Sequence, residues 1–455
     1  MIRESNYNFK IPIKDGKLLL YNTKTGAVAA VKENILQSLN NPKENLPSDV
    51  IMMLKTEGFL IPEEKDEIVE IQEWHNKHIN DSSLISLTLL PAEACNFACP
   101  YCFQYRKRNK LMKTEVYDAV LRLVERMALE NYKQGNKTFL KILWFGGEPL
   151  LATNAILNFH KRVKELCEKF PINISGSIVT NGYFLDSNIF KQLVHAGIND
   201  FQVTLDGEKS THDKLRVLKN GGPTFQRIYN NLKSIHNISQ ELKFNLAIRV
   251  NFLRSTLQSV QNLARRFVKD FGNDHRFIMY FRPVYNFETT RNDIHSLSED
   301  ILSYKDGIRQ QLSLALEMFK ELKSLRPEAD LLSPYGKMLE LLPMPTPCWC
   351  ESERRYSYII GADGLLFPCD TYVGSKEHSI GYLASSGETI YNQNFSQWKK
   401  SLFYSRDNPC LSCRLLPICM GGCRRTRMAS PNKTACFLTE DDIIFSMHEY
   451  AKLLN

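Results

Sequence analysis

The segment Cys95-Asn-Phe-Ala-Cys99-Pro-Tyr-Cys102 places three cysteines within eight residues, directly after an apolar stretch typical of a buried strand. Three thiolates at this spacing can converge on one soft metal centre, such as an iron–sulfur cluster. A four-iron cluster held by three cysteines keeps one iron open for a ligand. A zinc knuckle is the alternative, but structural zinc takes four protein ligands and no nearby His or Cys supplies the fourth.

Around this segment, apolar strand candidates alternate with amphipathic helix candidates. The strand candidates are Leu84–Leu90, Phe139–Phe145, Ile174–Val179, Phe201–Leu205, Phe244–Val250 and Phe277–Phe281. In the first helix between them, apolar residues recur at helical spacing from Val116 to Met127 and form one core-facing stripe. Strands separated by helices pair in parallel with right-handed crossovers. The pattern predicts an α/β fold, either an open barrel or a doubly wound sheet, with ligands at the C-terminal strand ends.

Short polar motifs follow the successive strand candidates. Phe145-Gly146-Gly147-Glu148-Pro149 follows the second strand and Val179-Thr180-Asn181-Gly182 follows the third. Leu205-Asp206-Gly207 follows the fourth, with Arg216 shortly after it, and Arg249 lies near the end of the fifth. Each motif alone is commonly just a turn. Because they occur in register at strand ends, they are informative together.

In this order, the cysteine segment and the strand-end motifs resemble the radical S-adenosylmethionine superfamily. The resemblance implies a partial (β/α)6 barrel in which Cys95, Cys99 and Cys102 hold a [4Fe–4S] cluster beside S-adenosylmethionine. Glu148 is then expected at the methionine amino group, Asn181 by the ribose and Arg216 at the cofactor carboxylate. The full set of expected cofactor-binding residues is Tyr101, Gly146, Gly147, Glu148, Thr180, Asn181, Asp206, Arg216 and Arg249.

A second cysteine array lies in the C-terminal region, which is rich in Cys, Pro and Gly. Its members are Cys348, Cys350, Cys369, Cys410, Cys413, Cys419, Cys423 and Cys436. They resemble the SPASM pattern, which binds two auxiliary [4Fe–4S] clusters, so that three clusters are expected in all. The resemblance assigns Cys410, Cys413, Cys419 and Cys436 to an outer cluster. It assigns Cys369 and Cys423 to an inner cluster, completed by Cys348, Cys350 or both. Cysteine spacing alone also permits two structural zinc sites.

Residues 1–80 have a different pattern. Strand candidates Lys17–Tyr21 and Ala27–Val31, helix candidates Lys32–Leu39 and Ser48–Thr56, and a wing strand at Phe59–Ile61 predict a winged-helix module or, alternatively, an N-terminal cap. The expected domains are the winged helix (1–80), the partial barrel (81–303), a helical connector (304–342) and a SPASM domain (343–455). The last is expected to be held by metal rather than by a core.

Composition fits a protein of the cytoplasm. With 455 residues, 43% of them hydrophobic and 24% charged, the chain has the balance of globular proteins. The net charge is +8 and the charges are interspersed along the chain, which indicates a solvated surface, with an acidic peptide or phosphate partner as the weaker alternative. No stretch approaches the roughly 20 apolar residues of a membrane span, and Met1–Lys10 has no apolar signal region. In a reducing cytosol, clustered cysteines are metal ligands rather than disulfides.

The resemblance implies an oxidoreductase that acts on peptides, because SPASM relatives mostly modify ribosomally made peptides or proteins. The leading hypothesis is a maturase of the ranthipeptide and sactipeptide group, which installs thioether crosslinks from Cys sulfur to carbon. Its expected partner is a Cys-containing precursor peptide whose leader binds a strand edge of the N-terminal module. A further expected partner is an external electron donor such as flavodoxin or ferredoxin. Neither nucleic acid nor a membrane is expected.

Two other functions remain open. An anaerobic sulfatase maturase oxidises Cys or Ser to formylglycine, and Asp370, directly after Cys369, occupies the place of a carboxylate proposed as base in that group. Asp370 is therefore the candidate catalytic residue, with a surface Asp that completes a turn as the alternative. The second is a non-catalytic zinc protein that binds nucleic acid, but no concentrated basic recognition helix supports it.

Overall fold

A computed structural model describes residues 2–33, 35, 47–104, 108–285, 297–326, 342–399, 409–429 and 436–453. The chain divides into two units, each made of separate stretches. Unit 1 comprises Met1–Asn80, Asp330–Arg354 and Lys400–Asn455, and unit 2 comprises Asp81–Ala329 and Arg355–Lys399. Within the described ranges, no helix combines the length and apolar character that crossing a membrane requires.

Strands and helices alternate through most of the described chain. The strands are β1 (Ile2–Glu4), β2 (Asn8–Ile13), β3 (Lys17–Asn22), β4 (Val28–Lys32), β5 (Leu60–Pro62), β6 (Leu84–Ala92), β7 (Thr138–Gly146), β8 (Ile172–Thr180), β9 (Ile198–Thr204), β10 (Asn245–Phe252), β11 (Phe277–Pro283), β12 (Ser357–Ile360), β13 (Leu365–Phe367), β14 (Gly381–Leu383) and β15 (Thr389–Tyr391). The α-helices are α1 (Ser48–Thr56), α2 (Glu67–Ile79), α3 (Thr114–Lys133), α4 (Thr153–Lys169), α5 (Ser187–Ala196), α6 (Lys209–Leu215), α7 (Phe225–His236), α8 (Leu257–Phe271), α9 (Tyr304–Leu325), α10 (Gln393–Lys399), α11 (Leu416–Cys419), α12 (Arg424–Ala429) and α13 (Glu440–Ala451).

Unit 2 is built on a sheet in which β6 to β11 run parallel. Their order in space follows their order in sequence. A doubly wound sheet reverses its strand order at a switch point, so the uninterrupted order identifies the open barrel instead. The six strands coincide with the six apolar candidates, and the predicted α/β fold is confirmed.

The connecting helices begin and end where local chemistry dictates. Asp186 caps α5 by accepting hydrogen bonds from the backbone amides of Asn188 and Ile189, both at 2.9 Å. Gly197, with φ of +99°, takes the left-handed conformation that ends the same helix. Along α8, buried apolar residues recur every three or four positions from Val260 to Phe271 and form one core-facing stripe.

Four short strands extend the sheet beyond β6. β12 pairs in parallel with β6, from Ser357 opposite Ser86 onward, and β13, β14 and β15 follow in antiparallel order. Phe367 and Val373 form a small core with Leu90 of β6. Residues 355–399 therefore fold with unit 2, whereas 330–354 and 400–455 belong to unit 1. The division into four domains stays a prediction.

In unit 1, β3 is buried on both faces, which explains its uninterrupted apolar run. Leu19 and Tyr21 pack into a core with Ile443 and Met447 of α13. On the opposite face, Leu18 and Leu20 pack with Leu54 of α1 and Phe59. The N-terminal strands and the C-terminal helix thus share one core.

The elements predicted for residues 1–80 recur in unit 1. The strands at Lys17 and Ala27, the helix Ser48–Thr56 and a strand at Leu60–Pro62 are all present. β2, β3 and β4 form a three-stranded antiparallel sheet, and β1 pairs with β5. The predicted helix Lys32–Leu39 lies largely outside the described residues, as does the connector beyond residue 326. The winged-helix assignment stays a prediction.

We expect Met447→Ala to destabilise the chain by about 2–5 kcal/mol, because Met447 is fully buried between α13 and the N-terminal strands. Differential scanning calorimetry measures the loss. His448→Ala, on the exposed side of the same helix, is the matched control and should change stability by less than about 0.5 kcal/mol. Equal effects of the two substitutions would contradict a core shared by the two ends of the chain.

Candidate functional site

The three cysteines of the Cx3CxxC segment lie in the loop that follows β6, which is called the cluster loop (Cys95–Cys102) below. Cys95 and Cys99 are buried and Cys102 is half-buried. All three line a cavity of about 360 Å³ within unit 2. The predicted cofactor-binding residues that also line it are Tyr101, Gly146, Gly147, Thr180, Asn181, Arg216 and Arg249. They converge because parallel strands end at one edge of the sheet.

Gly146 and Gly147 bring the end of β7 against the backbone that leads into the cluster loop. Gly147 N donates a hydrogen bond to Ala92 O at 2.9 Å, and Glu148 N donates to Ala94 O, also at 2.9 Å. A Cβ at position 147 would lie 2.2 Å from Ala94 O. These glycines are needed for the approach of backbone to backbone directly before Cys95, in addition to any role beside a ligand.

Glu148 is fully buried beneath the cavity and is not among the residues that line it. Its carboxylate accepts hydrogen bonds from Leu150 N at 3.0 Å, Thr180 Oγ1 at 2.6 Å and Asn181 N at 2.8 Å. Burial raises the pKa of this carboxyl, although these hydrogen bonds oppose the shift. In the structure, Glu148 ties the end of β7 to the end of β8, and its predicted contact with a cofactor remains a prediction.

Tyr101 connects the cluster loop to the ends of β9 and β10. Its hydroxyl donates a short hydrogen bond to the fully buried carboxylate of Asp206. The hydroxyl also accepts from Arg216 Nη1 at 3.0 Å and from Asn251 Nδ2 at 3.4 Å. Asp206 in turn accepts from the backbone amide of Asn251 at 2.9 Å. A buried carboxylate and a buried guanidinium therefore share one phenol as their common partner.

His212 holds the loop after β9 in place as a neutral ring. Its Nδ1 accepts from Asp206 N at 3.1 Å, so Nε2 carries the proton and donates to Thr224 Oγ1 at 3.1 Å. Thr224 Oγ1 donates onward to the carbonyl of Arg216 at 2.5 Å. Burial lowers the pKa of His212 to about 3, and the positive charge of Arg216 acts in the same direction. The chain of hydrogen bonds fixes the backbone that carries Arg216.

Asp370 and Thr371 line the same cavity as the three cluster-loop cysteines. Cys369, directly before them, is half-buried and lies 3.2 Å from Thr371 Oγ1. Asp370 is half-buried and begins the short 3-10 turn Asp370–Tyr372, so both its catalytic role and its role as a turn residue stay predictions.

The sequence did not single out several other residues of the cavity wall. Gln202 and Thr204 of β9 line it, as do Phe103 and Tyr285. The alternation of Gln202 with Thr204 is a signal that could have identified them, because residues two apart on a strand share a face. Phe103 and Phe145 stack with ring centroids 6.2 Å apart and form an apolar part of the wall.

The cysteines predicted for the outer cluster all belong to unit 1. Burial, together with the nearby thiols of Cys413, Cys410 and Cys436, raises the pKa of the Cys419 thiol to about 12. Burial and the thiols of Cys413 and Cys436 likewise raise the pKa of Cys410. Cys348, Cys350 and Cys423 also belong to unit 1, whereas Cys369 belongs to unit 2.

The chemistry of these donor sets fits iron–sulfur clusters. Each array presents thiols, the ligand type that such clusters take. In the described part of the chain, no three His, Cys, Asp or Glu side chains are already spaced for a single metal ion. Arg216 and Arg249 add two cations to the cavity of the cluster loop, which suits a ligand with a carboxylate.

The chain is similar to several known proteins. Residues 89–266 match the family model of the Radical SAM superfamily. The cysteine-type anaerobic sulfatase-maturating enzyme of Clostridium novyi is 27% identical over 365 residues, covering 77% of this chain and 91% of that protein. The radical SAM cyclopropyl synthase TigE of Paramaledivibacter caminithermalis is 21% identical over 461 residues, covering 92% and 89%. A solved structure of native anSMEcpe with bound AdoMet and a peptide has a TM-score of 0.55 at 22% identity, covering 81% and 96%.

Proposed function

We propose that this chain, which carries a Radical SAM domain in residues 89–266, installs thioether crosslinks in a ribosomally made, Cys-containing precursor peptide. The domain implies S-adenosylmethionine and a [4Fe–4S] cluster, which together supply a 5′-deoxyadenosyl radical able to take hydrogen from unactivated carbon. The observation that carries the proposal is the cavity in which Cys95, Cys99 and Cys102 face Asp370 and Thr371. A cluster and a peptide side chain could meet there.

The residues around the cavity would bind and orient the reactants. The three cysteines would hold the cluster and leave one iron open. Arg216 is kept in place by Tyr101 and by the hydrogen bonds that run from His212 through Thr224 to its own carbonyl, and it would face the cofactor carboxylate. The stacked rings of Phe103 and Phe145 would keep water from part of the wall, which protects a radical from side reactions.

Unit 1 would bind the leader of the precursor. In the sheet β2-β3-β4, the outer strand β4 has one strand neighbour among the described residues. Its free edge could pair with an extended peptide by main-chain hydrogen bonds. The cysteines of the same unit would hold the auxiliary clusters. In the crosslinking step, the peptide loses two hydrogen atoms: one goes to the 5′-deoxyadenosyl radical, and the other leaves as a proton and an electron that an auxiliary cluster would accept.

A second candidate is the oxidation of Cys or Ser to formylglycine. It is favoured by the similarity to sulfatase-maturating enzymes and by the place of Asp370 in the cavity, where a carboxylate could act as base.

Mass spectrometry separates the two candidates. The enzyme is purified without oxygen, assayed for iron and 5′-deoxyadenosine, and incubated with any small Cys-rich peptide that a neighbouring gene encodes. About twelve irons per chain are expected for three clusters. Crosslinking removes two hydrogens per link and blocks the Cys thiol, whereas formylglycine formation from Cys removes sulfur and creates an aldehyde. If the enzyme formed 5′-deoxyadenosine but left the peptide unmodified, neither crosslinking nor formylglycine formation would hold for that peptide.

We expect Tyr101→Phe to keep the iron content and to lower the rate of 5′-deoxyadenosine formation about tenfold. The substitution removes the hydroxyl shared by Asp206 and Arg216, and a hydrogen bond to a charged group is worth about 1.5–3 kcal/mol. Tyr132→Phe, at an exposed ring, is the control and should have no effect. An unchanged rate in Tyr101→Phe would show that the hydroxyl does not position the cofactor site.

A further inference from the structure

We propose that Glu93, Arg108 and Asp363 form a clasp that fixes the cluster loop to the turn between β12 and β13, and thereby sets the position of the three thiols relative to Asp370. The clasp residues touch neither cofactor nor substrate in this proposal. They are positioning residues for the radical chemistry. The inference rests on the proposed function and deepens it.

The cluster loop begins and ends on paired backbone. Glu93 N donates to Lys110 O at 3.0 Å, and Met112 N donates to Pro91 O at 2.8 Å. Ala92 and Leu111 form an antiparallel bridge between these contacts. The chain that enters the loop is therefore joined to the chain that leaves it, and the three cysteines lie on the segment between them.

The Arg108 side chain binds Glu93 at this paired backbone and also binds Asp363 in the turn between β12 and β13. Its Nε and Nη2 donate short hydrogen bonds to the two oxygens of the buried Glu93 carboxylate. Its Nη1 donates to Asp363 Oδ2 at 2.5 Å, and its Nη2 also lies 3.2 Å from Asp363 Oδ1. A guanidinium is the one side chain that can engage two carboxylates through a planar fork.

Glu93 also holds the turn itself. Its Oε1 accepts from Ala362 N at 2.9 Å. A Cβ at Gly361 would lie 3.1 Å from the same oxygen, so the turn is closely packed on Glu93. From this turn, β13 leads within a few residues to Cys369 and Asp370. The clasp is thus a short mechanical connection between the cluster loop and the segment that faces it across the cavity.

The placement has a chemical consequence. A radical must be formed next to the hydrogen that it removes, and a misplacement of about 1 Å can cost about a hundredfold in rate. Without the clasp, the thiols can still hold a cluster, but the cluster and Asp370 are no longer held at one separation. Radicals would then form without reaching the substrate.

Asp363→Asn tests the clasp, since it weakens the bridge to the turn and leaves Glu93 paired with Arg108. Asp118→Asn is the matched control. Asp118 accepts from Arg162 at 2.5 Å and its side chain is 30% exposed, against 2.5 Å and 27% for Asp363. Arg108→Lys is the second variant, because it keeps the charge and loses the fork. The measurements are iron and sulfide per chain, the electron paramagnetic resonance spectrum of the reduced enzyme with S-adenosylmethionine, and 5′-deoxyadenosine formed per modified peptide.

Asp363→Asn and Arg108→Lys are expected to keep their iron, to give an altered spectrum on addition of S-adenosylmethionine, and to form about ten times more 5′-deoxyadenosine per modified peptide than the control. A normal spectrum and a normal ratio in both variants would overturn the clasp. If the unsubstituted enzyme forms 5′-deoxyadenosine but modifies no peptide, the proposed function fails instead. In that case the clasp is tested by the electron paramagnetic resonance spectra of the two variants alone.

Discussion

Cys99→Ala is expected to abolish 5′-deoxyadenosine formation and to lower the iron content by about four atoms per chain. Cys99 is buried in the cluster loop and lines the cavity with Cys95 and Cys102. With one thiol missing, two cysteines remain for a cluster that needs three protein ligands to keep its fourth iron open. Iron analysis and chromatography of the reaction products measure both effects. The loss in rate should exceed about a thousandfold, because no other group in the cavity can supply the electron.

Cys167→Ala is the matched control for this substitution. Cys167 is half-buried on α4, and its thiol donates to Val163 O of the same helix at 3.3 Å. Burial raises the pKa of this thiol, as expected for a structural cysteine. Iron content and cofactor cleavage should be unchanged. Zinc in place of iron in the unsubstituted protein, or full cleavage in Cys99→Ala, would contradict the assignment of the cluster loop.

The parts of the fold that the sequence determines locally were predicted well. The helix predicted at Ser48–Thr56 agrees with α1 end to end, and the apolar stripe from Val116 to Met127 lies in α3, because helical periodicity is a local signal. The six parallel strands were equally clear as apolar runs. The motifs at their ends converge on one cavity, because a parallel sheet brings its carboxyl ends together.

Features that depend on pairing between distant segments were not predicted. β13, β14 and β15 have three residues each, too few to show an alternating pattern. Arg108 and Asp363 are 255 positions apart, and each resembles an ordinary surface charge until the fold brings them together. Glu148 illustrates a third case: its motif was identified, but its burial beneath Thr180 and Asn181 depends on how two strand ends pack.

Gly147→Ala is expected to cost about 1–3 kcal/mol of stability or more, and to lower cofactor cleavage at least a hundredfold. The added methyl group would lie 2.2 Å from Ala94 O and 2.7 Å from Glu93 O. Both are backbone atoms of the chain entering the cluster loop, so neither can rotate away as a side chain would. The strain therefore moves the residues that carry Cys95, as well as the end of β7. Calorimetry and the 5′-deoxyadenosine assay measure the two effects.

Gly222→Ala is the control that separates the backbone clash at Gly147 from the general cost of adding a methyl group. A Cβ there would meet the flexible side chains of Leu218 at 3.1 Å and Asn220 at 3.3 Å, which can shift. We expect stability within about 1 kcal/mol of the unsubstituted protein and normal cofactor cleavage. If Gly147→Ala behaved like Gly222→Ala, the close contact between the end of β7 and the cluster-loop backbone would be unnecessary for function. If Gly147→Ala instead kept its stability but bound the cofactor more weakly, the role of Gly147 would lie in its contact with the cofactor.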